Sequence, residues 1–177
     1  LTKTLDIMWP RSERDQRPLA LEENTVLYAK AIAYYRYGEL AAARDTIKRL
    51  LESNPKDPWF LEFAGDIHLS SGMADKAASY YRSALLERKT DPLILLSLGS
   101  ALISTNQPAQ LADAVTALET AIEEEPNWAF VKRQLAIAYG RLGKLSHADI
   151  LLAEEAVING DKPRAVLLAR RVLELPD

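Results

Sequence analysis

Apolar positions along the chain recur with a helical period. Over residues 41–51, Ala43, Ile47, Leu50 and Leu51 are spaced by 4, 3 and 1, which is a single stripe of an amphipathic helix. A helical run over 28–35 precedes it, and Gly38 between the two predicts a tight turn. This pair of helices then repeats. Small residues stand at Ala31, Gly65, Gly99 and Ala136, at intervals of 34, 34 and 37. A second series, Ala43, Ala77, Ala114 and Ala148, has intervals of 34, 37 and 34, and Pro55, Lys89, Pro126 and Gly160 repeat them. All the series share one register if three extra residues enter the third unit. The stretch Ser104-Thr105-Asn106-Gln107-Pro108-Ala109, rich in helix breakers, is where a longer turn is expected to hold them.

The pattern predicts an all-α solenoid of about four helix pairs, over 24–57, 58–91, 92–128 and 129–162, with a capping helix over 163–175. Pro55 and Pro58 are placed to stop one helix and open the next, because proline is tolerated in a first helical turn. Small residues on facing helices permit close approach, so Leu at Gly65 or Ala77 would overpack the contact. In the cap, Arg164, Arg170, Arg171 and Glu174 would supply the polar outer face that a terminal element needs. Residues 1–23 fall outside the repeat and read as a charged, proline-marked lead-in, with a short helix expected over Thr2 to Met8.

Composition narrows the picture further. Ala and Leu supply 54 of the 177 residues, the small and large members of packed helix pairs. Hydrophobic residues at 48% and charged residues at 27% argue against wholesale disorder. A formal net charge of −3 argues against nucleic acid or an anionic membrane as the main partner. The longest apolar run, Leu93 to Ile103, is too short to cross a bilayer about 30 Å thick. Residues 1–10 carry no basic start followed by an apolar run, and because the chain begins with Leu rather than Met it reads as an excised or processed piece.

Catalytic chemistry is not expected in these residues. There is no HExxH motif, no glycine-rich phosphate loop and no cysteine. His68 and His147 lie 79 residues apart. His68 is expected as a packed, hydrogen-bonded ring and His147 as an exposed one. The runs Glu123-Glu124-Glu125 and Glu154-Glu155 read as solvated helix faces, since metal binding needs convergent ligands. Neither a metal nor another cofactor is expected here.

The positions Leu61, Ala64-Gly65, His68, Ala77, Tyr81 and Ala84 of the second unit carry a resemblance to the tetratricopeptide repeat. So do Leu95, Leu98-Gly99, Leu102, Ala114, Leu118, Ala121 and Pro126 of the third. The resemblance implies a right-handed superhelix whose first helices line a concave, protein- or peptide-binding wall. It places Tyr28, Ile32, Tyr35, Trp59, Glu62, Asp66, Leu69, Leu96, Ile103, Phe130, Arg133 and Arg141 on that wall, together with Leu93, Ser100 and Ile137. Aromatic anchors beside a few charges suit a protein-binding surface. The Lys/Asn/Arg carboxylate clamp of co-chaperone repeats is mostly unmatched here: Tyr28, Ile32, Phe63, Ser97 and Arg133 stand at the corresponding positions, and only Arg133 has the clamp's chemistry.

A narrower resemblance rests on Asn54 to Glu62, Gly65-Asp66-Ile67, Ala136 to Arg141, and Ala153-Glu154-Glu155-Ala156 with Asn159-Gly160-Asp161. These stretches are similar to the C-terminal repeat domain of bacterial M48-type zinc metallopeptidases. Membership implies a periplasmic parent enzyme with its zinc motif upstream of Leu1, and a docking role for this domain toward substrates or the outer-membrane protein assembly machinery. A free-standing cytoplasmic scaffold using the same wall is the alternative.

Overall fold

The computed structural model describes the backbone of residues 19–174 and side-chain burial from residue 23 onward. The helix expected over Thr2 to Met8 lies outside the described residues, as does Leu175 at the end of the expected cap. Among the described residues the secondary structure is entirely α-helical: α1 (Leu19–Arg36), α2 (Leu40–Ser53), α3 (Pro58–Ser70), α4 (Ala74–Glu87), α5 (Pro92–Ser104), α6 (Pro108–Glu124), α7 (Ala129–Arg141), α8 (Leu145–Ile158) and α9 (Lys162–Glu174). The chain divides into two compact units, Leu1–Pro55 and Lys56–Asp177. Helix α1 opens directly after Pro18, so residues 19–23, expected in the lead-in, are helical.

In the first unit, α1 pairs with α2. Leu27 and Ala31 on α1 and Ala43, Ile47 and Leu50 on α2 are all buried, and the two helices pack together. The second unit continues the pattern, each helix packing on the next in sequence. Its helices start where the chemistry directs. The Asp57 carboxylate accepts from the N–H of Trp59 (3.0 Å) and Phe60 (3.1 Å), and Asp91 does the same for Leu93 (3.0 Å) and Ile94 (3.2 Å). Pro58 and Pro92 occupy the first helical positions behind these caps.

The small-residue positions behave as close-approach sites. A Cβ added at Gly65 would lie 2.7 Å from Tyr81 Cδ1, and one at Gly99 would lie 2.7 Å from Leu118 Cδ2. Gly65 and Gly99 are therefore each the seat for a bulky side chain of the partner helix. Ala77, Ala114 and Ala136 are likewise buried.

The three extra residues of the third unit are not in its turn. Thr105, Asn106 and Gln107 link α5 to α6 with the same length as Ser71-Gly72-Met73 between α3 and α4. The insertion instead lengthens α6, which has 17 residues where α4 and α8 have 14. Pro108 is the reason: it opens the helix at its first turn rather than prolonging the loop. Asn106 takes the left-handed conformation (φ 58°) that Gly72 (φ 73°) and Gly143 (φ 76°) take in the equivalent turns. Asparagine tolerates that region better than most residues.

Candidate functional site

Three large apolar side chains stand two residues after the N-caps of α3, α5 and α7. Trp59 follows Asp57, Leu93 follows Asp91, and Phe130 follows Trp128. Core positions of these helices are closed to solvent, yet these three are 57%, 57% and 47% exposed. They form one row because the repeat register puts the same position of α3, α5 and α7 on the same side of each helix. Ile137 on α7 adds a fourth exposed apolar side chain, at 38%.

Charges flank the row. The Arg88 guanidinium lies 4.3 Å from the Trp59 ring centroid, a cation–π arrangement, and forms an ion pair with Asp91. Burial raises the Glu62 carboxyl above its ordinary value, reinforced by the negative charges of Asp66 and Asp91 and opposed by Arg88. Asp66 is also raised by burial, against the lowering effect of the Tyr81 hydroxyl, which donates to its Oδ1 at 2.7 Å. Leu69 is half-buried beyond them.

Not every expected wall residue is available. Leu96 and Ile103 are buried at 9% and 5% exposure, so they belong to the core between α5 and its neighbours rather than to a ligand surface. Their helix is apolar nearly all round, with eight buried residues, and the extra apolar positions are used in packing. Arg133 and Arg141 are exposed but engaged. Arg141 Nη1 donates to the Ile103 carbonyl at 2.7 Å, satisfying the end of α5. Arg133 pairs with Glu155 through its guanidinium. Tyr28, Ile32 and Tyr35 are half-buried on α1 in the first unit.

Sequence reasoning missed a buried ionic cluster. Glu155, expected on a solvated face, has no exposed side-chain surface. Its Oε1 accepts from Asn159 Nδ2 at 2.9 Å and from Arg133 Nε at 3.2 Å, and its Oε2 faces Arg164 Nη1 at 2.7 Å. The hydrogen bond from Arg133 is the chief reason its carboxyl lies below the ordinary carboxylate value. Beside it Glu154 pairs with Lys132 at 2.6 Å, and Arg171 pairs with the buried Asp149. The charges placed on the cap's outer face are thus partly drawn inward. The one trace in the sequence is spacing: Lys132–Glu154, Arg133–Glu155 and Asp149–Arg171 are each 22 residues apart, across α7, α8 and α9.

His68 is buried, its Nδ1–H donating to the Ala64 carbonyl at 2.7 Å, and His147 is exposed, in line with the sequence reading. Among the described residues, no three His, Cys, Asp or Glu side chains are grouped to hold a metal ion. No described helix is long and apolar enough to cross a membrane.

Comparison with known proteins agrees with this geometry. Residues 25–67 match a family model described as tetratricopeptide repeat. Similar relatives include the beta-barrel assembly-enhancing proteases of Yersinia pestis, 26% identical over 106 residues, and of Escherichia coli strain K12, 27% identical over 92. Those stretches make up 60% and 52% of this chain, and only 22% and 19% of the relatives' length. Among solved structures, a MamA double mutant superposes with a TM-score of 0.73 at 17% identity, covering 88% of this chain and 82% of that one. YrrB, titled a TPR protein with an unusual peptide-binding site, has a TM-score of 0.72 at 16% identity, covering 83% and 74%. The first TPR of Spaghetti (RPAP3), bound to an HSP90 peptide, has 0.63 at 19%, covering 69% and 94%.

Proposed function

We propose that this chain, which matches a tetratricopeptide-repeat model over residues 25–67 and shares the fold of tetratricopeptide-repeat structures, is a non-catalytic docking module that holds an extended peptide or protein segment along the Trp59–Leu93–Phe130 row. One observation carries the reading: at one register position of α3, α5 and α7 a bulky apolar side chain is about half exposed or more, while the core-facing apolar positions of the same helices, such as Leu61, Leu95 and Leu135, are buried. Exposed large apolar groups in a row, rimmed by Glu62, Asp66 and Arg88, have the composition of a protein-binding surface. Peptide binding by YrrB and by Spaghetti supports the same use of the fold. Peptides selected on the folded chain from a random library, then mapped by amide chemical-shift changes, test this. Shifts centred on α3, α5 and α7 are expected, and shifts confined to other helices would contradict it.

The finer reading places this module in the periplasm, as the substrate- or partner-docking part of an M48-type zinc metallopeptidase acting on envelope proteins. The similarity to two beta-barrel assembly-enhancing proteases supports it. Zinc would then be held by a separate catalytic domain, and the outer-membrane protein assembly machinery would be a partner of the whole enzyme. Reading the gene upstream of the codon for Leu1 tests this directly. A leader and an HExxH motif are expected, and a gene with neither would contradict the assignment.

A further inference from the structure

The charges around Trp59 decide what kind of segment suits the Trp59–Leu93–Phe130 row. Glu62 and Asp66 stand three and seven residues after Trp59, spacings that put all three on one side of α3. At a rise of about 1.5 Å per residue they follow the exposed ring by about 4.5 and 10 Å along the helix axis. Both are half-buried, and among the described residues neither forms an ion pair with a Lys or Arg. The Tyr81 hydroxyl donates to Asp66, a hydrogen bond that brings no opposite charge. The feature is local to α3: in the repeat register Leu96 and Arg133 stand in place of Glu62, and Ser100 and Ile137 in place of Asp66.

The cations of the same wall are engaged elsewhere. Arg133 is tied to Glu155, and Arg141 donates to the Ile103 carbonyl. Arg88, the guanidinium whose charge acts on Glu62, is held by Asp91 and lies over the Trp59 ring. Around Glu62 there are then three carboxylates, its own and those of Asp66 and Asp91, to one guanidinium. Half-burying two like charges one helical turn apart is unfavourable, and burial raises both carboxyls. A cation brought by the bound segment relieves that cost. In a partly desolvated setting its attraction to the carboxylates also exceeds what it would be in open water.

We propose, resting on the docking role of the row, that the segment it holds is basic as well as apolar: an apolar side chain packs on Trp59 while a neighbouring Lys or Arg reaches Glu62 and Asp66. Two random peptide libraries with the same apolar residues test this, one with Lys and Arg as its only charged residues and the other with Asp and Glu. Each is selected on the whole chain, and binders are assigned to the row by their loss on Trp59→Ala. The basic library should yield row binders and the acidic library none. The chain's formal charge of −3 favours any basic peptide, so a local readout is added. Affinity of the basic binders should fall about tenfold on Glu62→Gln combined with Asp66→Asn. It should hold on Glu123→Gln combined with Glu124→Gln, which removes the same charge from exposed positions of α6. Asp66→Asn keeps an acceptor for the Tyr81 hydroxyl, and circular dichroism first shows each variant to be folded. Row binders drawn equally from the acidic library, or basic binders indifferent to the loss of Glu62 and Asp66, overturn the proposal and leave the docking role standing. Absence of any binder sensitive to Trp59→Ala overturns both.

Discussion

Arg133 Nε donates to Oε1 of Glu155 at 3.2 Å, tying a residue expected on the ligand wall to a fully buried carboxylate. Asn159 and Arg164 complete the shell from α8's C-terminal side and from α9. Truncating Glu155 to Ala removes the group to which α7 and α9 both point. With the two guanidiniums about half exposed, neither is left as a buried unpaired charge, so the loss should be about 2–3 kcal/mol by chemical denaturation, below the ~3–5 kcal/mol of a pair whose remaining charge stays buried.

The same carboxylate gives a pH dependence of defined sign. Its value in the folded chain lies below the ordinary 4.5, chiefly because Arg133 hydrogen-bonds the charged form. Its stabilising contribution is therefore complete above the ordinary value and is lost as pH falls through the depressed one. The stability gap between wild type and Glu155→Ala should be full at pH 7 and shrink below pH ~4. Denaturant midpoints measured across that range check it.

Asp66 should behave oppositely. Burial raises its carboxyl in the folded chain, so its contribution is most favourable below the ordinary 3.8 and is lost as pH rises through the folded value. Asp66→Asn keeps an oxygen to accept from the Tyr81 hydroxyl while removing a desolvated charge. The variant should match or exceed wild-type stability at pH 7, and its advantage should vanish as the solution is acidified toward pH ~4.

The close-approach seats make a simpler prediction. Gly65→Leu drives a side chain into the Tyr81 ring, and Ala77→Leu enlarges a fully buried position on α4. Each should cost about 1–3 kcal/mol, as overpacking does. Unchanged thermal melts of both variants would contradict the assigned helix pairing. Removing a cap is a separate test: Asp57→Ala or Asp91→Ala should each cost about 1 kcal/mol, read from the same melts.

The all-α architecture was legible because it depends on periodicity. The intervals of 34 and 37 between small residues placed the helices of the second unit to within a few residues. The insertion was misplaced because Pro108 both breaks and begins helices, and local chemistry alone does not say which. The wall was only partly legible. The exposure of Trp59, Leu93 and Phe130 agrees with their register position, but Leu96 and Ile103, at other positions of the expected wall, are buried by their neighbours. Glu155 was missed for the same physical reason: its burial is a property of three helices meeting, while its sequence neighbours describe only one.

The row on α3, α5 and α7 is the centre of the functional account, and one measurement bears on it most directly. It is the affinity of peptides selected on the wild-type chain for Trp59→Ala and Phe130→Ala, each variant first shown to be folded by its circular dichroism. Both side chains are about half exposed, so truncation should leave the core in place. Each change should weaken binding at least tenfold, about 1.4 kcal/mol, as loss of an aromatic anchor does. Undiminished affinity in both variants would contradict the account and move the binding surface elsewhere.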